Sequence, residues 1–316
     1  IDTPLTSLSY DDEGRYILTS GTDETLQLYE VPRGHHVKSI FSKKYGCDQA
    51  IFTHNSHTKC IFASTKENHI LRLLNLNDNS FIRYFKGHDA QVVNLINSTS
   101  STRSESFYSS SIDGTVKCWD LRVKGFTASL GLHSTPLIAL DPSNTVMAIL
   151  EIQTYQINLV SMEKFPSGLI ASKSIKNVLK NHSLTPVYIQ FTNDNRYLLV
   201  TTAELKHLVL DAYTLDPVVY LSGGISFTER QYPDTGCLTV TPNSDYALSG
   251  SGNGDILVWN LKNLQSGVSS KTLAPSATIN NKYSLSKGIL PRMIKCNPRY
   301  EMLAAADTEL SFWTST

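Results

Sequence analysis

The sequence predicts an all-β protein, a closed ring of seven similar sheets of the kind called a β-propeller. Two observations lead to this prediction. A unit of roughly 40–55 residues recurs along the 316-residue chain, close to the period of propeller blades. Within each unit, apolar and polar residues alternate with period two between turns of Asp, Asn, Gly and Pro, which is typical of half-buried strands. Residues 1–316 are therefore expected to form a single domain.

The unit is clearest in three stretches: LSYDDEGRYILTSGTDETLQLYEV (8–31), SSSIDGTVKCWDL (109–121) and LTVTPNSDYALSGSGNGDILVWNL (238–261). A full copy has an inner strand, a turn, a second strand ending in Ser, Thr or Gly, a tight turn and a third strand. Weaker copies fill the gaps between them. The predicted third strands end, in chain order, at Tyr29, Leu74, Trp119, Val160, Asp211, Trp259 and Trp313.

The third unit has the most complete motif, with Gly-His before its inner strand and Trp-Asp at its end. In repeats of this type a His, a hydroxyl on the second strand, the turn Asp and the Trp share hydrogen bonds. A buried carboxylate is costly without such partners. We therefore interpret the four residues as structural rather than catalytic. They are His88, Ser109 or Ser111, Asp113 and Trp119.

Two parts of the chain depart from this pattern. The fourth and fifth units lack both the turn Asp and the terminal Trp, so their blades are expected to depend on apolar packing. The sequence also begins at Ile1, on the inner strand of its first unit. Rings of this type usually close with an N-terminal strand on the last blade. We expect upstream residues or a partner strand to complete the edge beside Leu310–Trp313, because an open edge promotes aggregation.

Composition argues against several classes of protein. Net charge is zero, whereas a chain that binds nucleic acid by itself usually has an excess of Lys and Arg, so no direct nucleic-acid contact is expected. No apolar run is long enough for a transmembrane helix. The five Cys are far apart and include no C-x-x-C pair, which favours free thiols over a zinc site.

Three longer stretches are more specific: SIFSKKYGCDQAIFTH (39–54), NSFIRYFKGHDAQVVNL (79–95) and DGTVKCWDLR (113–122). Together with FTNDNRYLLV and the LDAYT that follows it, they resemble the WD-repeat adaptor subunit of the SET-domain histone H3 methyltransferase complex, called COMPASS in yeast. In yeasts that subunit is shared with the cleavage and polyadenylation factor. The resemblance extends over nearly the whole chain.

The resemblance implies a non-catalytic scaffold in the nucleus, without a cofactor. It implies docking of an N-terminal segment of the methyltransferase, which modifies lysine 4 of histone H3. It also implies docking of a subunit of the cleavage and polyadenylation factor, and so a role in mRNA 3′-end processing and transcription termination. The family is linked as well to the phosphorylated tail of RNA polymerase II, although no Arg cluster of phosphate-binding type is evident here.

Candidate partner-binding residues lie in the loops that enter inner strands and in the hairpins between second and third strands. These are Lys43, Lys44, Tyr45, Lys66, Asn68, Asp89, Gln91, Arg230 and Arg292. The SKKYG loop is the strongest candidate, since its lysines can pair with acidic or phosphorylated groups and Tyr45 can be buried against a peptide. The alternative is a solvated loop whose Tyr packs on its own blade.

Two other functions remain open from the sequence. One is a WD-repeat substrate receptor of another assembly such as a ubiquitin ligase, because one fold hosts many functions. The other is an enzyme built on a propeller, which would show convergent carboxylates or His residues at the channel mouth, whereas the turn Asp residues here are assigned to the repeats. The glycine-rich GSGNG (250–254) looks like a phosphate loop, but it lies between two strands rather than between a strand and a helix, which favours a hairpin turn.

Overall fold

The computed structural model describes residues 3–66, 68–98, 105–227, 236–262, 264, 271–280 and 290–314. Over these residues the chain forms seven sheets, antiparallel except for one strand added to the fifth, and the one helix among them is a short connector. The predicted all-β, seven-bladed propeller is confirmed. Each residue at which a third strand was expected to end lies in the third strand of its blade.

Successive segments of the chain form the first three blades. Blade 1 contains β1 (Leu5–Tyr10), β2 (Tyr16–Gly21), β3 (Thr25–Glu30) and β4 (His35–Phe41). Blade 2 contains β5 (Asp48–Phe52), β6 (Lys59–Ala63), β7 (Leu71–Asn75) and β8 (Phe81–Phe85). Blade 3 contains β9 (Val92–Asn97), β10 (Ser106–Ser111), β11 (Thr115–Asp120) and β12 (Phe126–Gly131).

The remaining blades vary more in strand number. Blade 4 contains β13 (Pro136–Leu140), β14 (Val146–Glu151), β15 (Gln156–Ser161) and β16 (Leu169–Ser174), and α1 (Lys176–Lys180) follows it. Blade 5 contains β17 (Pro186–Phe191), β18 (Tyr197–Thr202), β19 (His207–Asp211) and β20 (Pro217–Leu221), with β24 (Thr272–Leu273) added in parallel. Blade 6 contains β21 (Leu238–Val240), β22 (Tyr246–Gly250), β23 (Ile256–Asn260) and β25 (Ala277–Ile279). Blade 7 contains β26 (Met293–Cys296), β27 (Met302–Ala306) and β28 (Leu310–Thr314).

Burial decreases from the middle of each blade to its rim. Strands β14 and β18 are buried on both faces, since a neighbouring blade packs on each side. The outer strands β4 and β16 instead expose much of their length. The Ser and Thr side chains of the middle strands are therefore held inside the protein, where each needs a hydrogen-bond partner.

Polar side chains on inner strands link neighbouring blades. Each accepts a hydrogen bond from a backbone N–H on the next inner strand: Ser7 Oγ from Ala50 (2.9 Å), Asn94 Oδ1 from Ile138 (3.3 Å) and Thr239 Oγ1 from Cys296 (3.3 Å). The donors in these bonds are backbone N–H groups of inner strands around the central channel, and the side chains provide acceptors that strand pairing does not.

Blades 4 and 5 share a large apolar core that includes Leu150, Ile157, Leu198 and Leu208, all without solvent exposure. This agrees with the apolar packing expected for units without the turn Asp and terminal Trp. Burial of such side chains is worth roughly 1.5–3 kcal/mol each.

Blade 7 closes the ring against blade 1 through an apolar cluster that includes Leu8, Ile17 and Met293. The Leu5 N–H also donates to the Asp307 carbonyl (2.7 Å). Within the described residues blade 7 has three strands, and β28 is paired only with β27. That a further strand completes the edge beside β28 stays a prediction.

Candidate protein-binding face

The loops from outer to inner strands and the hairpins from second to third strands lie at the same end of the ring, because all strands within blades 1 to 3 run antiparallel. In the first three blades this end consists of residues 22–24, 42–47, 64–66, 68–70, 86–91 and 112–114. We call these residues the loop face. Seven of the nine predicted partner-binding residues lie on it.

The SKKYG loop is a compact turn. The Tyr45 and Gly46 N–H groups donate to the Ser42 carbonyl (3.0 and 2.7 Å), and Ser42 Oγ donates to the Gly46 carbonyl (3.0 Å). Gly46 has φ +68°, a conformation that favours glycine. Lys43 and Lys44 are exposed at the tip of this turn.

The neighbouring hairpin of blade 2 holds the loop in place. The N–H groups of Thr65 and Lys66 both donate to the Tyr45 carbonyl (3.1 and 3.0 Å). Lys66 Nζ donates to the Lys43 carbonyl (3.1 Å) and forms an ion pair with Glu24 (2.5 Å). Because its charge is paired within the chain, Lys66 supports the loop more directly than it offers a charge to a ligand.

Tyr45 is half-buried and lies over a buried arginine that sequence reasoning missed. The guanidinium carbon of Arg72 is 3.5 Å from the centroid of the Tyr45 ring, 5.0 Å from that of Tyr84 and 5.6 Å from that of Phe81. Arg72 is 2% exposed, and its Nε donates to Ser64 Oγ (2.7 Å). The sequence held one sign of this buried arginine, because Arg72 is a charged residue within the largely apolar run HILRLLNL (69–76). These contacts favour packing of Tyr45 on its own blade.

The third blade contributes Asp89 and Gln91 through the segment that leads into β9. Asp89 is exposed, and its backbone N–H donates to Asp113 Oδ2 (3.0 Å). Gln91 Nε2 approaches Asp48 Oδ2 on blade 2 (3.4 Å). Asn68 is also exposed, at the tip of the blade 2 hairpin. The structure thus brings these side chains to the same face as the SKKYG loop.

The other two predicted residues are placed differently. Arg292 is 9% exposed, with its Nε 3.4 Å from Asp307 Oδ1 and its guanidinium carbon 5.0 Å from the centroid of the Phe227 ring. This arginine is largely buried, which limits its contact with a ligand. Arg230 lies outside the described residues.

The four residues predicted to be structural form a chain of hydrogen bonds inside blade 3. Trp119 Nε1 donates to Ser109 Oγ (2.8 Å), which donates to His88 Nε2 (2.7 Å), and His88 Nδ1 donates to Asp113 Oδ2 (2.9 Å). Ser109 is therefore the hydroxyl of the network. Ser111 Oγ instead donates to the Ala90 carbonyl (2.9 Å).

The protonation states of His88 and Asp113 agree with these assignments of donor and acceptor. Burial is the largest effect on His88 and lowers its pKa, although Asp113 opposes the change, so the ring is neutral at pH 7. Burial raises the pKa of Asp113, but hydrogen bonds from Thr115, His88 and the Asp89 N–H outweigh it and leave that pKa below its usual value. The His88 side chain has no solvent exposure, so this network stabilises the blade and offers no group to a substrate.

His54 and His57 have the H-x-x-H spacing of a metal-binding pair, but each has a separate partner. His54 Nδ1 lies 2.9 Å from Asp12 Oδ2, and the ring of His57 stacks on Tyr16 (5.0 Å between centroids). Across the described ranges no three His, Cys, Asp or Glu residues are grouped as a metal site requires. No helix in the same ranges is long and apolar enough to cross a membrane.

The seven sheets and the Trp119–Ser109–His88–Asp113 network define a WD-repeat β-propeller. The family model described as "WD domain, G-beta repeat" matches residues 79–120 and 233–260, which include this network and the first three strands of blade 6.

Similarity to whole proteins is more specific. COMPASS component SWD2 of Saccharomyces cerevisiae is 34% identical over 98% of this chain and 90% of its own length. Set1 complex component swd2 of Schizosaccharomyces pombe is 31% identical over 98% of this chain and 92% of its own length. WD repeat-containing protein 82 of Drosophila melanogaster is 28% identical over 99% of this chain and 90% of its own length. The chain belongs to the family of WD-repeat COMPASS subunits, as the resemblance of its SKKYG and IRYFKGH stretches predicted.

Proposed function

We propose that this chain is a non-catalytic scaffold of the COMPASS histone H3 lysine-4 methyltransferase complex that docks peptide segments of partner subunits on its loop face. The observation that carries the proposal is the 34% identity to a named COMPASS component over nearly the full length of both chains. This similarity spans nearly the whole propeller.

The partners in this proposal are an N-terminal segment of the SET-domain methyltransferase and the other COMPASS subunits. A subunit of the cleavage and polyadenylation factor is a second partner, which gives the chain a role in mRNA 3′-end processing and transcription termination. The phosphorylated tail of RNA polymerase II is a third. The chain then works in the nucleus, on chromatin.

The site chemistry supports docking rather than catalysis. The His and Asp of the blade 3 network are hydrogen-bonded inside the blade, with side-chain exposures of 0% and 10%. Lys43 and Lys44, in contrast, are exposed on a loop whose backbone is fixed by hydrogen bonds. A rigid loop that presents cations loses little entropy when it binds an acidic group.

The test is affinity purification of the tagged chain from nuclear extract, with mass spectrometry of the retained proteins. We expect a SET-domain methyltransferase and cleavage and polyadenylation subunits to be retained. Lys43→Glu with Lys44→Glu should reduce retention by roughly tenfold, because charge reversal replaces attraction with repulsion. Lys124→Glu, at an exposed lysine after β11, is the matched control.

Each outcome bears on a separate part of the proposal. Retention of ubiquitin-ligase subunits in place of these partners would overturn the scaffold role in COMPASS and support the substrate-receptor alternative. Normal retention by the double variant would remove Lys43 and Lys44 from the docking surface and leave the scaffold role intact. The melting temperature should stay unchanged in both the double variant and Lys124→Glu, since the substituted side chains are exposed.

A further inference from the structure

A groove opens at the rim of the ring between blades 1 and 2, next to the SKKYG loop. Its cavity has a volume of about 240 Å³. We call it the rim groove, and its walls are formed by Ser39, Ile40, Phe41, Asn79 and Phe81. The outer strand of blade 1 and the start of the outer strand of blade 2 thus supply its two sides.

The floor of the rim groove is apolar and its mouth carries exposed aromatic rings. Leu26, Phe62 and Leu74 line the floor and are 0%, 1% and 2% exposed. Phe41, at the mouth, is 67% exposed, and Tyr84, whose ring lies 5.6 Å from that of Phe81, is 44% exposed. Exposed aromatic groups beside an open apolar cavity are typical of a binding surface.

The mouth of the groove is positively charged. Lys43 Nζ lies 5.9 Å from the centroid of the Phe41 ring, and Lys44 Nζ lies 5.2 Å from that of Tyr45. No carboxylate of the described residues forms an ion pair with either lysine. Lys38 Nζ donates to Asn79 Oδ1 across the groove (2.9 Å).

The acidic side chains near the groove lie beside other cations. Glu24, whose carbonyl accepts from the Ser42 N–H (2.8 Å), forms an ion pair with Lys66 (2.5 Å). The Asp78 carboxylate accepts hydrogen bonds from the N–H and Oγ of Ser80 (2.9 and 2.7 Å), and these bonds lower its pKa, so it is ionised. It lies beside Lys38. The unpaired positive charge of the mouth is therefore concentrated at Lys43 and Lys44.

We infer that the rim groove docks an acidic segment of a partner protein, which inserts one bulky apolar side chain into the cavity and places carboxylates beside Lys43 and Lys44. This inference rests on the proposed function, because it assigns a ligand to the SKKYG loop. An apolar cavity of about 150 Å³ already holds a benzene ring. The rim groove is larger, so an aromatic or aliphatic side chain fits.

The cations of the mouth suit an acidic segment by charge. Both exposed cations are lysines, which act as point charges, whereas the planar fork of arginine would hold an anion bidentately. The nearest arginine, Arg72, is buried beneath Tyr45 and cannot reach a ligand without disrupting that contact.

The experiment places a photo-crosslinking benzoyl-phenylalanine at position 41 in the chain assembled in its native complex. Because Phe41 is an exposed aromatic residue, the substitution leaves the core unchanged. We expect cross-links to a partner peptide that has acidic residues on both sides of an apolar one. The control for non-specific labelling is the same group at position 213. Tyr213 is 76% exposed and lies in the loop between β19 and β20, at the end of the ring opposite to the loop face.

A synthetic copy of the cross-linked peptide then provides the affinity measurement. Phe41→Ser and Lys43→Glu should each weaken binding by about tenfold, equivalent to about 1.4 kcal/mol. The matched controls Tyr213→Ser and Lys124→Glu should change it less than about twofold. Raising the salt concentration should weaken binding to the wild-type chain and have less effect on Lys43→Glu.

Cross-links to a neutral or basic segment, or to a phosphorylated one, would overturn the inference. So would an intact complex in which position 41 cross-links to no partner. In both cases COMPASS subunits still co-purify, and the scaffold role stands. Failure of the wild-type chain to co-purify with those subunits would instead overturn the proposed function.

Discussion

The guanidinium of Arg72 lies under the ring of Tyr45, 3.5 Å from its centroid, and so joins the middle of blade 2 to the loop that precedes that blade. A cation held against an aromatic face away from water is worth about 2 kcal/mol or more. The SKKYG loop, which carries the exposed Lys43 and Lys44, is therefore held in place by a buried side chain of blade 2.

This contact predicts different effects for two substitutions of Tyr45. Tyr45→Ala should lower the free energy of unfolding by about 2 kcal/mol, because it removes both the ring contact and buried apolar area. Tyr45→Phe keeps the ring and should change it by less than about 0.5 kcal/mol. Urea denaturation measures both. Equal stability of the Ala and Phe variants would contradict the structural role of the ring.

The hydrogen-bond network of blade 3 predicts unequal effects for two adjacent serines. Ser109→Ala should cost about 2–3 kcal/mol, since it leaves the Trp119 N–H and His88 Nε2 buried without their partner. Ser110 is equally buried, but its Oγ has no hydrogen-bond partner among the residues that the structure describes. Ser110→Ala should therefore be neutral or slightly stabilising.

Thermal or chemical unfolding of the two serine variants provides the measurement. Both serines lie on β10, are fully buried and are replaced by alanine. A difference in stability between the two variants therefore reports the hydrogen bonds of Ser109. Similar losses in both variants would mean that packing, rather than the network, is what Ser109 contributes.

The pH dependence of stability should show the effect of His207. Burial lowers its pKa from 6.5 to about 3, and the ring stays neutral with Nδ1 accepting from the Thr202 N–H (3.2 Å) and Nε2 donating to Ser249 Oγ (2.9 Å). In the unfolded chain this histidine takes up a proton below pH 6.5, so the folded state loses stability as the pH falls from about 6.5 towards 3.

Unfolding free energies measured between pH 8 and pH 5 test this expectation. His207→Gln should be less stable than the wild type at neutral pH, because it disturbs buried hydrogen bonds. Its stability should fall less steeply below pH 6.5 than that of the wild type. Parallel pH profiles for the two proteins would show that His207 does not contribute to the acid sensitivity.

Two glycines with similar backbone angles predict different tolerance to a methyl group. Gly46 has φ +68°, and a Cβ there would meet the Thr65 hydroxyl, whereas Gly34 has φ +59° with no atom within 4 Å of the same position. Gly34→Ala should cost about 1–2 kcal/mol, the strain of a left-handed backbone alone. Gly46→Ala adds a steric clash and should cost about 1–3 kcal/mol more.

Calorimetric melting of the two glycine variants gives the comparison. Gly46→Ala should also weaken partner binding through the displaced SKKYG loop, while Gly34→Ala should not. Equal melting temperatures for the two variants would mean that Thr65 moves aside at little cost.

The strand pattern was predictable because it depends on local features. Residues that alternate over five or six positions determine a strand, and Asp-Gly or Asn-Gly pairs determine where it turns. Trp119 was recognised as the end of a third strand for this reason. The function was reached by resemblance rather than by pattern, and the identity to fungal COMPASS subunits confirms the family.

Local patterns do not show the partners of the predicted binding residues within the chain. Lys66 was grouped with Lys43 as a partner-binding residue, which stays a prediction, and the structure pairs its ammonium with Glu24 of the preceding blade. Arg292 was expected at the surface and is 9% exposed beside Asp307. Both outcomes depend on a residue on another hairpin or another blade, which no local pattern specifies.

The sequence by itself determined the number of blades, the order of their strands and three members of the blade 3 network, His88, Asp113 and Trp119, because each follows from spacing within one unit. Only the tertiary structure decided which hydroxyl joins that network, what lies beneath Tyr45 and that a groove opens beside Phe41. These features depend on the angle and distance at which one sheet packs on the next. That packing is set by the fit of whole side-chain surfaces, to which residues far apart in the chain contribute together.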